Sequence, residues 1–329
     1  MEVKSKKIDV LNQELTINVL AADYVAIEKK KIAERKRTAE FKGFRKGMVP
    51  ESLIRRVYGD QALADAVNEV VGSALESYIT ENKLNILGEP LASEKQPEVE
   101  WKTGNDFTFL FDIALSPEVN VDVVKEDSVP QYAITIAAKD KEKMAESLKK
   151  YYEEKKEEKS AEDIDKEVET RLADQYKQES EWRLTKDIRD YFVKKAALTL
   201  PEDFLKRWLF VANNGKFTKE DIEKEFAGFA EDFKWQMVRG FLMKKYELKV
   251  EDKDIQEAAE AFVAYQYAMY GIGNVPPEMI KEAAQNVFND SKQVERLVEQ
   301  VEDQKVLAKI KETITIKSKK ISSEKFREL

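Results

Sequence analysis

From Asp140 to Glu312 the chain contains almost nothing that would stop a helix. Prolines occur in that stretch only at 201, 276 and 277. Pro201 suits the first turn of a helix, and Gly271-Ile272-Gly273-Asn274-Val275-Pro276-Pro277 reads as a sharp corner. Apolar spacing predicts helices over about 161–197, 201–214, 218–246, 251–270, 276–289 and 291–312. Charged residues make up 36% of the chain, well above the usual quarter, with only 11 Gly and 8 Pro. Such a balance favours long solvent-bathed helices. The Lys/Glu-rich stretch Lys141–Lys159 is expected to be exposed on nearly every side, held by local charge pairs worth about 0.2–0.5 kcal/mol each. No repeat of 20–50 residues appears, and no heptad is sustained over four turns.

The first third reads differently. Ile8 and Val10, then Leu15, Ile17 and Val19, alternate with polar residues around Asn12-Gln13, predicting two short strands joined by a turn there. Asp23 is positioned to cap a helix running to about Glu40. Phe41–Pro50 interrupts it with two glycines and a proline. A longer helix follows from Glu51 to about Asn82, with Val57, Leu63, Val67, Val70, Val71, Leu75, Tyr78 and Ile79 on its apolar face. Phe107, Phe109, Phe111, Ile113 and Leu115 alternate over nine residues and predict a strand completing a small sheet. Residues 1–117 are therefore expected to form one α+β domain. Residues 118–158 read as a linker and connecting arm, with an extended piece over Val129–Ala137, and residues 159–329 as a helical domain.

Composition removes several classes of chemistry. The chain has no Cys and no His, so thiol nucleophiles, disulfides, imidazole bases and the usual zinc or haem ligands are absent. Gly271-Ile272-Gly273 is a lone G-x-G after a helix rather than a phosphate loop, and no cofactor or metal is expected. The Asp and Glu residues lie on helix faces, where solvation explains them, so no enzymatic centre is expected. Met1–Asp9 lacks a signal-peptide core and no run of about 18 apolar residues occurs, which points to the cytoplasm and away from membranes.

Charge is unevenly spread. Between Lys29 and Arg56 eleven basic residues face only Glu34, Glu40 and Glu51, making this segment +8 in a chain of net charge −8. A basic run is often just a solvated helix face. An island of this size in an acidic chain also suits a polyanion. At its centre stands Phe41-Lys42-Gly43-Phe44-Arg45-Lys46-Gly47-Met48-Val49-Pro50. Glycines at 43 and 47 allow tight turns that would project Phe44, Arg45 and Lys46 as a tip, an aromatic flanked by two cations. The residues alone leave a second reading open, in which Phe44 tucks into the core of a connecting loop.

The motif Gly-Phe-Arg-x-Gly-x-x-Pro between a basic helix and a long amphipathic helix resembles the ribosome-docking signature of trigger factor, the chaperone family at the bacterial nascent-chain exit tunnel. Tyr58-Gly59, Leu87-Gly88-Glu89-Pro90, Leu200-Pro201, Glu247-Leu248-Lys249-Val250 and the closing Lys317–Phe326 segment resemble further landmarks of that family, in a style closest to its Bacteroidetes branch. The resemblance implies an elongated multidomain molecule: an α+β ribosome-binding domain followed by a mostly α-helical substrate-binding domain with protruding arms. It implies that Gly43, Phe44, Arg45, Lys46, Gly47 and Pro50 form the contact to a large-subunit protein and the adjacent ribosomal RNA. Nascent and unfolded polypeptides would be the clients, held without ATP. Met48 stands where many relatives carry a further Lys. The family's FKBP-like prolyl isomerase domain has no counterpart, since the arm ending near Tyr152 passes through Lys155–Ser160 directly into the next helix.

Fourteen aromatics lie between Phe204 and Tyr270, and each taken singly suits core packing. At the Gly/Pro corner, Met269, Tyr270, Ile272, Val275 and Met279 are hypothesised to be exposed and to touch clients, because Met and aromatic side chains adapt to many apolar sequences. Three rival readings fit less well. An RNA-binding regulator would spread stacking aromatics through the basic segment, yet only Phe41 and Phe44 lie there. A periplasmic-type helical chaperone would carry a signal peptide. A purely structural helical scaffold would need no Gly-bracketed cationic loop. DNA is not an expected partner, and the sequence leaves open whether the free protein dimerises.

Overall fold

A computed structural model describes all residues, 1–329, which divide into two compact units. Residues 1–118 and 199–230 form the first unit, and residues 119–198 and 231–329 the second. This division cuts across the sequence-based one, which kept 199–230 with the rest of the helical region.

In the first unit, strands β1 (Glu2–Lys7), β2 (Asn12–Val19), β3 (Ile86–Ala92) and β4 (Phe107–Leu115) form an antiparallel sheet in the order β1-β2-β4-β3. The alternation at Phe107–Leu115 yields the expected strand. The first hairpin differs from expectation: Ile8 and Val10 sit in its turn, exposed, and the β1 strand precedes them. The Asp9 carboxylate accepts hydrogen bonds from the backbone N–H groups of Leu11 and Asn12, so a local Asx-type turn fixes the reversal earlier than Asn12-Gln13. The β3 strand was not anticipated, because its Gly88-Glu89-Pro90 centre interrupts the alternation and forms a bulge between Leu87 and Leu91.

Helices α1 (Ala21–Thr38) and α2 (Glu51–Glu81) pack against this sheet. Leu20 is the N-cap of α1. Asp23 acts three residues later, accepting the Leu20 backbone N–H at 2.9 Å rather than capping the helix itself. Tyr24, Leu63, Ala66, Val67, Val70 and Val71 join Ile17, Val19 and Phe107 in one core. Val57, expected on the apolar face of α2, is exposed, while Ala62, Ala66 and Ala74 join the expected Leu63, Val67, Val70 and Val71 on the buried face. Glu28 on α1, 1% exposed, accepts hydrogen bonds from Arg55 of α2 and Thr103, both at 3.1 Å.

Helix α5 (Glu202–Ala212) and the first part of α6 (Lys219–Lys245) also belong to this unit. Arg207 donates to the Asp112 carboxylate at 2.7 Å and to the Ala92 carbonyl at 3.1 Å, holding α5 on the β3–β4 edge. Trp208 fills the recess over the bulge. Gly88 has φ +68°, and a Cβ there would lie 2.7 Å from the indole nitrogen.

In the second unit, α4 (Ala161–Ala196), the rest of α6 and α9 (Ser291–Thr313) pack around Leu184, Ile188, Phe192, Trp235, Val238, Leu242, Val306 and Ile310. Asp303 of α9 accepts the Trp235 indole N–H at 2.8 Å and lies between Arg189 and Arg239. The expected linker packs into this unit. Val121 and Val123 enter the core, and Asp127 accepts hydrogen bonds from Lys195 and Tyr191. Those partners hold the Asp127 carboxyl below its ordinary range against the opposing effect of burial.

Strand β5 (Ser128–Thr135) gives the expected extended piece, and it pairs in parallel with β6 (Thr315–Ser322). Within the Lys141–Lys159 stretch, expected to be exposed on nearly every side, helix α3 (Ala138–Lys155) has one buried face. Leu148 and Tyr152 of α3 are buried against Ile164, Val168, Leu172 and Tyr176 of α4. Asp140 in the first turn of α3 accepts from Tyr176 at 2.6 Å, from Ser323 of the short terminal helix α10 (Ser323–Phe326) at 2.5 Å and from Arg327 at 2.9 Å. These three donors, Ser323 foremost, hold its carboxyl far below the ordinary range. Helices α7 (Asp252–Met269) and α8 (Pro277–Val287) pack with α9 around Ala259, Val263, Ala284 and Leu297. No helix is long and apolar enough to cross a membrane.

Candidate functional site

The loop between α1 and α2 is built by two consecutive turns. The Phe44 N–H donates to the Phe41 carbonyl at 3.0 Å, and the Met48 N–H donates to the Arg45 carbonyl at 2.9 Å. Gly43 and Gly47 occupy the third position of each turn with φ of +91° and +84°. A side chain there would meet nothing within 4 Å, so glycine is required by the backbone and not by crowding. Pro50 closes the loop as the N-cap of α2, its carbonyl accepting from the N–H of Leu53 and of Ile54.

Both ends of the loop are stapled to a small core. Val49 is fully buried with Ile32, Ala39, Ile54 and Ala62. Phe41 is half-buried, its ring edge-on to Tyr58 at 6.2 Å, and the Arg35 guanidinium stacks on the other ring of that pair at 5.7 Å. Between those staples the chain has no apolar anchor. Phe44 is 44% exposed and Met48 72% exposed, and Arg45 and Lys46 point their charges at solvent. Of the two readings of Phe44, the one that places it at a tip describes the structure. Lys46 lies 3.8 Å from Glu40, an exposed pair of small energetic weight.

The surrounding cations are of two kinds. Lys31 pairs with Glu69 at 2.7 Å, and Arg55 pairs with Glu28 and Glu51, so these serve the fold. The hydrogen bond to Glu69 raises the Lys31 pKa. Lys29, Lys30, Arg37, Lys42 and Arg45 form no ion pair and are exposed. An exposed aromatic tip beside unpaired cations can bury one ring in an apolar groove while neighbouring phosphates meet the charges.

The second set of singled-out residues lies on the corner after α7. Here the Gly271 N–H donates to the Ala268 carbonyl and the Ile272 N–H to the Tyr267 carbonyl, a Schellman ending with Gly271 at φ +76°. This ending turns Tyr267 inward and leaves Met269, Tyr270, Ile272 and Met279 exposed, Tyr270 at 83%; Val275 is half-buried. Tyr265, also exposed, extends the patch by one helical turn.

A further apolar surface escaped the sequence reading. Phe210, Val211 and Phe217 are exposed around the turn joining α5 and α6. Phe210 and Val211 border a cavity of about 410 Å³ whose lining includes Ile222, Lys206 and Lys219. Phe210 and Phe217 are the same residue type as the buried Phe204 and Phe226, so side-chain chemistry alone did not separate them. No group of acidic residues has the geometry of a metal site.

Two family models match the chain. Bacterial trigger factor protein matches residues 1–148, and probable trigger factor, C-terminal domain, matches residues 180–329. Among curated relatives, trigger factor of Coxiella burnetii (strain CbuK_Q154) is 27% identical over 152 residues, 46% of this chain and 34% of that protein. Trigger factor of Pseudomonas syringae pv. syringae is 29% identical over 150 residues, with the same coverage. The match thus spans about a third of the length of those relatives. A solved structure from work on promiscuous substrate recognition in folding and assembly by the Trigger Factor chaperone aligns with a TM-score of 0.56. It shares 12% identity, over 94% of this chain and 99% of that one, and so shares the fold.

Proposed function

The chain belongs to the trigger factor family, and from that premise we propose that it docks on the large ribosomal subunit and holds emerging polypeptides without ATP. The observation that carries this reading is the loop Gly43–Gly47, stapled at Phe41 and Val49 and presenting Phe44, Arg45 and Lys46 to solvent. In this reading Phe44 enters an apolar groove of an exit-tunnel protein, and Arg45 and Lys46 meet the adjacent ribosomal RNA. Burying Phe44 supplies about 1.5–3 kcal/mol, and each exposed ion pair adds about 0.2–1 kcal/mol. A contact of that strength cycles on and off, as a chaperone serving successive chains requires. The working compartment is the cytoplasm.

Residues 1–117 are proposed as the docking module and 159–329 as the client-holding part, connected through 118–158. Met269, Tyr270, Ile272, Val275 and Met279 are the proposed client contacts; all but the half-buried Val275 are exposed around the corner between α7 and α8. The residues between β5 and α4 form the α3 helix and a short loop, and prolyl isomerase activity is not expected; catalysis in a proline-limited refolding assay would overturn that.

The test is co-sedimentation of the full chain with ribosomes. The combined Phe44→Ala, Arg45→Ala, Lys46→Ala variant is expected to lose pelleting while keeping its helical signal. Unchanged pelleting would sink the docking reading. For the client surface, Glu at Met269, Tyr270 and Met279 is expected to weaken suppression of aggregation without altering pelleting.

A further inference from the structure

The two-stranded sheet of the second unit has two long edges, and only one of them is closed. Strands β5 and β6 pair in parallel from Ser128↔Thr315 to Thr135↔Ser322. The Thr315 N–H donates to the Asp127 carbonyl at 2.8 Å, and the Thr135 hydroxyl donates to the Ile321 carbonyl at 2.9 Å. Backbone groups alternate in direction along a strand, so those of Thr315, Lys317, Lys319 and Ile321 face β5, and those of Ile316, Ser318 and Lys320 face away from it. By the same alternation Pro130 and Tyr132 lie on the outer edge of β5. Pro130 has no N–H, and the Tyr132 carbonyl accepts the Ser180 hydroxyl of α4 at 2.6 Å. Strand β6 has no strand on its other side, and Lys317, Ser318, Lys319 and Lys320 are all exposed.

Charge selects what can occupy that edge. Strands β5 and β6 together contain Lys317, Lys319 and Lys320 and no acidic residue. None of the three forms an ion pair; Lys319 has only the Tyr132 ring, 5.8 Å away. The β1 edge of the first unit is different, since Lys4 there pairs with Glu2 at 3.2 Å and Lys6 stands opposite Glu14 in register. A lysine edge repels other cationic edges, which deters pairing between copies of this chain. The same charges attract carboxylates.

Lys317 and Lys319 are two residues apart and so project from one face of the strand, at the spacing with which alternate residues recur in an extended chain. We propose that the outer edge of β6 is a strand-addition site for an extended acidic segment of another protein. The backbone of that segment pairs with Ile316, Ser318 and Lys320, and its alternate carboxylates meet Lys317 and Lys319. The inference rests neither on ribosome docking nor on client holding.

Fluorescence anisotropy of the full chain with a labelled eight-residue peptide of alternating Glu and Thr, the length of β6, tests it. Saturable binding is expected, about tenfold weaker for the combined Lys317→Glu, Lys319→Glu variant and lost when Lys replaces Glu in the peptide. Ser318→Pro removes an outward N–H and spares the ladder to β5, so it is expected to weaken binding while circular dichroism stays as in the parent. N-methylation of the peptide at every Thr, or at every Glu, blocks one of its two backbone edges. One of those two forms is expected to bind the parent chain about tenfold less. Absence of saturable binding, or equal binding by both N-methylated forms and the unmodified peptide, would overturn the proposal. So would an oligouridylate of the same charge that displaces the peptide and keeps its affinity in Ser318→Pro, because the surface would then be a general polyanion patch.

Discussion

A methyl group at Gly88 has nowhere to go: it meets the Trp208 indole at 2.7 Å on a residue whose φ of +68° already disfavours a side chain. Gly88→Ala is therefore expected to destabilise the first unit by about 1–3 kcal/mol, read as a lower urea midpoint followed by tryptophan fluorescence. The buried Glu28 gives a prediction of opposite signs. Arg55→Ala leaves its carboxylate with Thr103 alone, and one of its oxygens already has no hydrogen-bond partner. That loss is expected to cost about 1.5–3 kcal/mol. Glu28→Leu combined with Arg55→Met removes both charges and is expected to recover most of the loss. A double variant no more stable than Arg55→Ala would show that the pair itself, and not its unpaired remnant, sets the energetics. Position 48 adds a functional case: Met48→Lys places a third cation on the loop tip and is expected to raise ribosome pelleting at low salt.

Asp140 shows how one element end is secured. Its folded pKa is depressed by Ser323, Tyr176 and Arg327, so the stabilisation it supplies is complete above the unfolded carboxyl value of about 3.9. That stabilisation drains away as pH falls below that value toward the folded one. Protection of the amides of residues 315–329 against hydrogen exchange, relative to the intrinsic rate at each pH, is expected to fall on acidification below about pH 4, and Asp140→Asn is expected to show that low protection already at neutral pH. The long helices beyond residue 160 were legible because their apolar spacing is uninterrupted and their ends carry recognisable punctuation, as at Pro201 and Gly271, whereas α3, which carries Asp140, was hidden by its Lys/Glu-rich composition. The turns of the Phe41–Pro50 loop were legible for a related reason, since two glycines at fixed spacing imply a backbone requirement that other residues meet poorly. Three features were not legible, each for its own physical reason. The β6 strand is Lys-rich without alternation and finds its partner far away in sequence. The β3 strand is broken by its bulge. The grouping of residues 199–230 with the four-stranded sheet rests on Arg207 and Trp208, two residues whose partners no local pattern announces.

At the scale of the whole chain the dominant electrostatic fact is the +8 segment within a net charge of −8. Exposed cations are screened over about 10 Å at 0.1 M salt. Ribosome pelleting is therefore expected to fall as salt is raised from about 50 to about 300 mM, with Phe44→Ala losing affinity at every concentration and Arg45→Ala flattening the salt dependence. Loss of pelleting by Phe44→Ala only at high salt would contradict the division of labour between ring and charge. The parallel pairing of β5 with β6, register Ser128↔Thr315 to Thr135↔Ser322, has a consequence for how the protein is made. About 180 residues separate the two strands, and synthesis at about 5–20 residues per second imposes a delay of roughly 10–35 s between them. Throughout that interval β5 has been translated and its pairing partner does not yet exist, so the second unit cannot close in the order in which it is written. A protein proposed to shelter unfinished chains is, for much of its own synthesis, an unfinished chain with an unpaired strand.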